Sequence, residues 1–353
     1  MAFVGTVEAT LRSMIVRHFW CFDAFSAEFA PGLNLIVGPN AHGKTSLLEA
    51  ASILLRLQSP RGSRLAEVVQ HDRRGLVVDG YLGERHLQFY YSPTRRKLAL
   101  DGVEQSNPRE YLKLGRLVYF AMQDIELVRG SADARRRFLD FVAMQTEPGY
   151  QAALRAYEKA LRSRNALLKA PQLRWAEIDA FTEPLLAAGE VVIRGRVRLL
   201  QDLLPHANSA HGVISGTRED LGLEYLPGAG ENFALSLAEA RSEDARLRQT
   251  GVGPHRDDVR LTLNGRGSEF ASEGQQRTIV LALKLGAARL LEERFGAAPL
   301  LLLDDIFGEL DTDRRVALLA ALPSGSQKLI TTTSTAWWPG EPETRILRLG
   351  PTS

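Results

Sequence analysis

The stretch Gly38-Pro39-Asn40-Ala41-His42-Gly43-Lys44-Thr45 restricts what this chain can fold into more than any other. It reads G-x-x-x-x-G-K-T, the pattern of a phosphate-binding loop, which requires a buried strand before it and a helix after it. Both are written in the sequence. Leu33-Asn34-Leu35-Ile36-Val37 is an apolar run of strand length, and Ser46 opens an apolar stretch that continues to Leu55. Glycine lets the backbone wrap an anion without a Cβ in the way. The bare N–H groups at the helix start, together with the helix dipole, bind it. Gly38 through Ser46 therefore form a candidate nucleoside triphosphate cradle. In it Lys44 reaches the β- and γ-phosphates and the Thr45 hydroxyl ligates Mg²⁺. His42 inside the loop reads as a solvent-facing filler.

A chain of 353 residues is long enough for about two domains at roughly 150 residues each. Its net charge of +2 permits a nucleic-acid partner without arguing for one, so any basic face has to be local. The single cysteine, Cys21, excludes an internal disulfide framework and a Cys-rich zinc site, and reads as a small buried hydrophobe in a reducing cytosol. No window approaches a membrane span and no leader pattern opens the chain, so a soluble, cytoplasmic protein is expected.

Val7 to Phe19 and Phe22 to Phe29 read as two strands ahead of the loop. Leu76–Leu82 and Arg85–Tyr91 flank Gly83-Glu84 as an antiparallel hairpin, and Asp101-Gly102 marks another turn. Leu117 to Ala121 is a short buried strand. Residues 132–169 and 173–203 are polar–apolar at helical spacing and read as two long antiparallel segments, a lobe of about 50 Å at 1.5 Å per residue. Further on, Gly222–Leu226 and Val259–Leu263 read as strands, and Phe233–Gln249, Glu273–Phe295 and Thr312–Leu322 as helices. Leu300–Leu303 and Lys328–Thr333 read as buried parallel strands.

Two further stretches carry chemistry. Leu300 to Leu303 ends in Asp304-Asp305, at the carboxyl end of a parallel strand where ligands bind in α/β sheets. Asp304 suits a Mg²⁺ position and Asp305 a general base for the attacking water. Ala271-Ser272-Glu273-Gly274-Gln275-Gln276-Arg277 opens a helix with a Ser N-cap and small residues, a second anion-receptive helix start. Two such starts aimed at one γ-phosphate are explained if the second serves a neighbouring molecule's nucleotide.

The order Gly38–Thr45, Gln123, Ser272–Arg277, Asp304-Asp305 and Glu309-Leu310-Asp311 resembles the ABC-type ATPases of the SMC/Rad50 group. Arg135-Arg136-Arg137-Phe138-Leu139-Asp140, Arg164 to Lys169 and Gly253-Pro254-His255-Arg256-Asp257-Asp258 narrow the likeness to the RecF family of bacterial DNA replication and repair proteins. The resemblance implies an α/β fold: an ABC-type ATPase head of mixed sheet, with a P-loop core and an antiparallel β part, into which a helical lobe is inserted. The head would comprise residues 1–125 and 250–353, and the lobe with a short mixed segment 126–249. The cofactors would be ATP and Mg²⁺, with Gln123 as the lid-type glutamine beside Thr45 and Asp304 at the metal. Ser272, Gly274 and Gln275 would meet the partner's γ-phosphate across an ATP-dependent homodimer, with Asp311 at the seam. The partners would be duplex and single-strand/duplex junction DNA, without sequence preference, and RecR-like and RecO-like mediators.

There are departures. Family loops carry glycine where Ala41 stands. Many ABC ATPases carry Glu in place of Asp305, and many transport ATPases a switch histidine where only Thr331, Thr332, Thr333 and Ser334 are available. Both point to slow hydrolysis. Candidate DNA contacts are Arg61, Arg64, Arg73, Arg74, Arg135, Arg136, Arg137, Arg194, Arg196 and Arg198. His255 with Asp257 and Asp258 reads as a structural loop rather than a metal site, and Trp175, Trp337 and Trp338 as packing residues rather than base-stacking ones. A transporter motor and an ATPase-gated nuclease are the alternative classes.

Overall fold

Alternation and unbroken apolar runs separate the chain's strands into two kinds: alternating strands build two antiparallel sheets, and apolar runs form the centre of a parallel one. The computed structural model describes residues 10–308, 310–338, 340 and 343–350. The expected strand start at Val7 and the family residue Glu309 lie outside that set.

The chain divides into two compact units. The first holds residues up to 124, 213–215, and those from 284 onward. It opens with β1 (Leu11–Phe19) and β2 (Phe22–Glu28), followed by β3 (Leu33–Val37), α1 (Lys44–Arg56), β4 (Leu76–Leu82), β5 (Arg85–Ser92), β6 (Arg95–Leu100) and β7 (Val103–Glu104). After the short α2 (Arg109–Leu112) comes β8 (Leu117–Ala121). Strands β1, β2 and β4–β7 form a six-stranded antiparallel sheet in the order β2-β1-β4-β5-β6-β7. The Gly83-Glu84 and Asp101-Gly102 turns fall where the sequence places them, Asp101 and Gly102 both at positive φ as a two-residue hairpin turn requires. Cys21, expected buried, sits exposed at the β1–β2 turn, because that turn projects beyond the pairs that bury Phe19 and Phe22.

The second unit comprises residues 125–212 and 216–283. Here lie α3 (Glu126–Arg129), α4 (Ala132–Thr146), α5 (Tyr150–Leu168), α6 (Trp175–Asp179) and α7 (Thr182–Ser215), the last three residues of α7 counting with the first unit. Then follow β9 (Leu221–Leu226), α8 (Phe233–Glu239), α9 (Arg241–Leu247), β10 (Asp258–Leu263) and β11 (Arg266–Gly267). The first long segment is therefore two helices. It breaks at Pro148-Gly149, where Gly149 takes φ 80° ahead of α5. The second runs past its expected end at 203 and through Pro205, because Leu199, Leu203, Ala207 and Ala210 are wholly or almost wholly buried. The expected Phe233–Gln249 helix divides at Ala240. Tyr157, Leu185, Phe233 and Leu237 meet in this unit's core. Residues 250–283, expected with the head, group with these helices because β10 pairs with β9 and packs on α4.

Helix α10 (Glu273–Phe295) carries residues of both units. The first unit then completes itself with β12 (Leu300–Asp304), α11 (Thr312–Ala321), β13 (Lys328–Thr332) and β14 (Arg345–Arg348). Its second sheet is parallel, in the order β14-β3-β13-β12-β8. Strands β3, β8 and β12 are buried at every position, as a sheet covered on both faces requires. Asp304 stands level with Ala121 of β8 and Thr331 of β13, and Thr332 with Val37 of β3. The carboxyl ends of four strands thus line up along one edge.

A phosphate-type loop and a hydroxyl-ringed carboxylate

That edge carries the loop. Gly38 follows β3 directly and donates its N–H to Thr332 O at 3.2 Å. A Cβ there would stand 2.7 Å from Leu349 O, so only glycine fits. Gly43 ends the loop at φ 83°, and a Cβ on it would lie 2.5 Å from Phe22 Cζ and 2.7 Å from Cys21 Sγ. Ala41 also adopts a left-handed φ of 65°. His42 donates its Nδ1–H to Asn40 O at 2.8 Å, and Ser46 bonds the Cys21 thiol. Although the residue is exposed, partial desolvation of its thiol against Gly43 raises the thiol pKa, with the Ser46 bond opposing, so Cys21 stays protonated. Lys44 opens α1 with its side chain turned back into the loop. Its Nζ donates to Gly38 O (2.9 Å), Pro39 O (3.1 Å) and Asn40 Oδ1 (3.3 Å) and lies 3.7 Å from Asp305 Oδ2.

Asp304, at the end of β12, is almost wholly buried. Three hydroxyls converge on it. Thr45 Oγ1 and Thr331 Oγ1 donate to Oδ1 at 2.9 and 2.8 Å, and Tyr119 OH donates to Oδ2 at 2.9 Å. Burial, reinforced by Asp304, holds the Tyr119 phenol well above its ordinary range, so it remains a donor. Asp305 takes a left-handed φ of 52°, and its N–H donates to Thr331 Oγ1 at 2.8 Å. Burial raises its carboxyl pKa, with Lys44 opposing and Asp304 reinforcing the shift. A carboxylate and a threonine hydroxyl in direct contact, beside a glycine cradle and a buried lysine, are a donor set suited to a hard divalent cation and a polyphosphate.

Gln123 is exposed in the turn Met122–Ile125, just beyond the carboxyl end of β8, the strand paired with β12. Its neighbour Asp124 accepts from Ala121 N and pairs with Lys284 Nζ at 2.7 Å, while Lys284 also donates to Tyr119 O. Tyr119 and Lys284 escaped the sequence reading. Each lies inside an apolar run whose only signal is burial. In the segment that lacks a switch histidine, Thr331 bonds Asp304, and Thr332 Oγ1 accepts from Trp337 Nε1 at 3.0 Å. Trp337 stacks on Phe307 at 4.6 Å, which bears out the packing role.

In the second unit, Ser272 caps α10. Gln275 N–H donates to Ser272 Oγ (3.3 Å), and Ser272 N–H donates to Gln275 Oε1 (2.9 Å), a reciprocal capping box. Ser272 and Glu273 are exposed, and Gly274 and Gln275 are partly so. Gln276 is buried and accepts from Arg129 Nε.

The basic clusters separate into two groups. Arg196 is buried and binds Asp140, Asp257 and Pro254 O, so it is withdrawn from the DNA-contact set. Arg135 pairs with Asp258, and Arg136 donates to Asp257 O, which withdraws them too. Arg64, Arg74, Arg137, Arg194 and Arg198 keep exposed side chains. Arg61 lies 3.9 Å from the buried Glu49 of α1. The family-like loop at 253–258 is structural. His255 donates Nε2–H to Thr250 O, its Nδ1 accepts from Tyr157 OH, and Asp257 accepts from Gly228 N and Tyr225 OH. No cluster of three metal-ligating side chains occurs among the described residues. Arg164, in another family-like segment, is buried against Asp244 and Thr250.

A family profile described as "AAA domain" matches residues 13–80. The chain is 40% identical to the DNA replication and repair protein RecF of Synechococcus sp. (strain JA-2-3B'a(2-13)), over 92% of this chain and 91% of that one. It is 39% identical, over the same shares, to RecF of Thermosynechococcus vestitus. A solved structure described as the recombination mediator protein RecF-ATP in the RecFOR pathway superimposes with a TM-score of 0.84 at 31% identity, over 96% of each chain. The Smc head domain of Pyrococcus furiosus matches at 0.50 and 16% identity, a likeness of fold alone.

Proposed function

The chain belongs to the RecF family of DNA replication and repair proteins, and on that footing we propose that it is an ATP-operated clamp on DNA. ATP binding joins two copies head to head on duplex or gapped DNA, and slow hydrolysis releases them. The bound protein then helps RecR-like and RecO-like mediators load recombinase at single-strand gaps in the cytoplasm.

The observation that carries this reading is Asp304 in direct hydrogen bond with Thr45, at the foot of a loop holding a buried lysine. In the proposed roles, Gly38 to Ser46 bind the phosphates, and Thr45 and Asp304, with Gln123, hold Mg²⁺. The metal supplies charge neutralisation of the β- and γ-phosphates. Lys44 exchanges its contacts with Gly38 O and Pro39 O for phosphate oxygens. Asp305 orients water and accepts its proton; its raised pKa suits that task. Ser272, Gly274 and Gln275 face the partner's γ-phosphate. The exposure of Ser272 at a helix start supports that role, since a group serving another molecule has to be accessible.

Sedimentation with ATP, with ADP and with a junction DNA tests the reading. Wild type should dimerise with ATP only. Lys44→Met should lose ATP binding and dimerisation together. Ser272→Arg should keep ATP binding and lose the dimer. A Lys44→Met chain with unchanged ATP-dependent dimerisation and DNA affinity would sink the proposal. The sequence-level alternatives, a transporter motor and a nuclease, find no favouring observation. Among the described residues no helix is long and apolar enough to cross a membrane.

A further inference from the structure

The capping box at Ser272 contains an ambiguity that one glutamate resolves. A glutamine side chain carries an acceptor and a donor at nearly equivalent ends, and either could face the Ser272 N–H. Only the oxygen can cap it. Gln275 Nε2 donates to Glu219 Oε1 at 2.7 Å, which fixes the amide so that Oε1 meets Ser272 N–H at 2.9 Å. Glu219 is itself anchored. Its Oε2 accepts from Thr217 Oγ1 at 3.1 Å and lies 3.8 Å from Nε2 of His211. His211 is wholly buried on α7, and neither ring nitrogen makes a hydrogen bond, so Glu219 is the polar group its Nε2 faces.

We infer that Glu219 is a positioning residue for the Ser272–Gln275 segment, acting through the Gln275 amide. Its carboxylate keeps the Ser272 backbone capped by a side chain, so the Ser272 hydroxyl, tied only by its 3.3 Å contact with Gln275 N, is free to turn to an incoming phosphate. Thr217 holds the second carboxylate oxygen in place, and the buried His211 ring lies 3.8 Å from it. Neither lies in the segment expected to touch nucleotide. The inference rests on the proposed role of Ser272 across the dimer.

The test uses the full chain in sedimentation with ATP, with nucleotide affinity of the monomer measured in parallel. Glu219→Ala should raise the dimer dissociation constant about fivefold per site, the size of a lost helix cap, and about 25-fold for the symmetric pair, with monomer ATP affinity unchanged. Glu219→Gln, which keeps an acceptor oxygen, should stay close to wild type. Gln275→Glu sets two carboxylates against each other and should impair the dimer; combined with Glu219→Gln it reverses donor and acceptor and should recover part of the loss, the remainder being repulsion between the new carboxylate and the partner's phosphate. The inference is overturned if Glu219→Ala dimerises like wild type, or if Gln275→Glu is equally impaired with and without Glu219→Gln. The second comparison stands even if Glu219→Ala fails to fold. A wild-type chain that never dimerises with ATP overturns the proposed function instead, and the inference with it.

Discussion

Acidification should weaken the second unit through one histidine, and the amount follows from its surroundings. Burial lowers the pKa of His255 from 6.5 to about 4; the Thr250 carbonyl bond and Asp244 oppose the shift, and Arg256 and Arg136 reinforce it. Folded His255 is therefore neutral at pH values where an unfolded histidine is charged. A depressed folded pKa gives stability that is present above the unfolded value and lost as pH falls through the folded one. The window runs from about 6.5 down to about 4, and the full shift amounts to about 3 kcal/mol. His255 is only partly buried by surface area, so screening reduces this to roughly 2 kcal/mol. Carboxylates titrate in the same range, so the measurement has to be a difference. His255→Gln keeps a donor for Thr250 O and an acceptor for Tyr157 OH while removing the titration. Urea unfolding of both chains at about pH 7 and about pH 4.5 should show the wild type losing roughly 2 kcal/mol more than the variant. Ring-proton NMR should place the His255 midpoint well below the ordinary 6.5. Parallel stability curves, or a midpoint near 6.5, would refute the reasoning.

Tyr119→Phe removes one of the three hydroxyls on Asp304; it should cost about 1–2 kcal/mol in denaturant unfolding and weaken Mg²⁺-dependent more than Mg²⁺-independent ATP binding. Arg196→Met leaves Asp140 and Asp257 buried without their cation and should cost about 3–5 kcal/mol, whereas Arg198→Ala, on the same helix but exposed, should change stability by less than about 0.5 kcal/mol. If Arg198 meets DNA, its removal should lower the salt slope of binding by about 1. Ala41→Gly relieves a left-handed backbone and should stabilise the chain by about 0.5–1 kcal/mol, read as a higher melting temperature.

What was legible in the sequence shares a cause. The loop, Asp304-Asp305 and the Ser272 cap are local patterns, and the parallel strands announce themselves as unbroken apolar runs. The two-residue turns at 83–84 and 101–102 carry their own chemistry. What was not legible depends on distant partners. Tyr119 reads as one more core aromatic until β8 is seen paired with β12, and Arg196 reads as surface charge until Asp140 and Asp257 close on it. Pro205 argues for a helix end locally, and only the burial of its neighbours overrules it. Glu219 lies 56 residues from Gln275, with no pattern joining the two.

The departure at Asp305 is best understood from the backbone outward. At φ 52° the chain leaves β12 in a left-handed conformation, and the Asp305 N–H is committed to Thr331 Oγ1. Aspartate is among the few side chains enriched there, while a longer carboxylate gains no local hydrogen bond to offset the strain. The shorter acid and Thr331 are thus parts of one arrangement, because Thr331 also donates to Asp304. In that arrangement Lys44 lowers the pKa of Asp305 while burial and Asp304 raise it. In the proposed role Lys44 turns to a phosphate and Mg²⁺ enters beside Asp304, so the cations and the phosphate charge together set the basicity of Asp305.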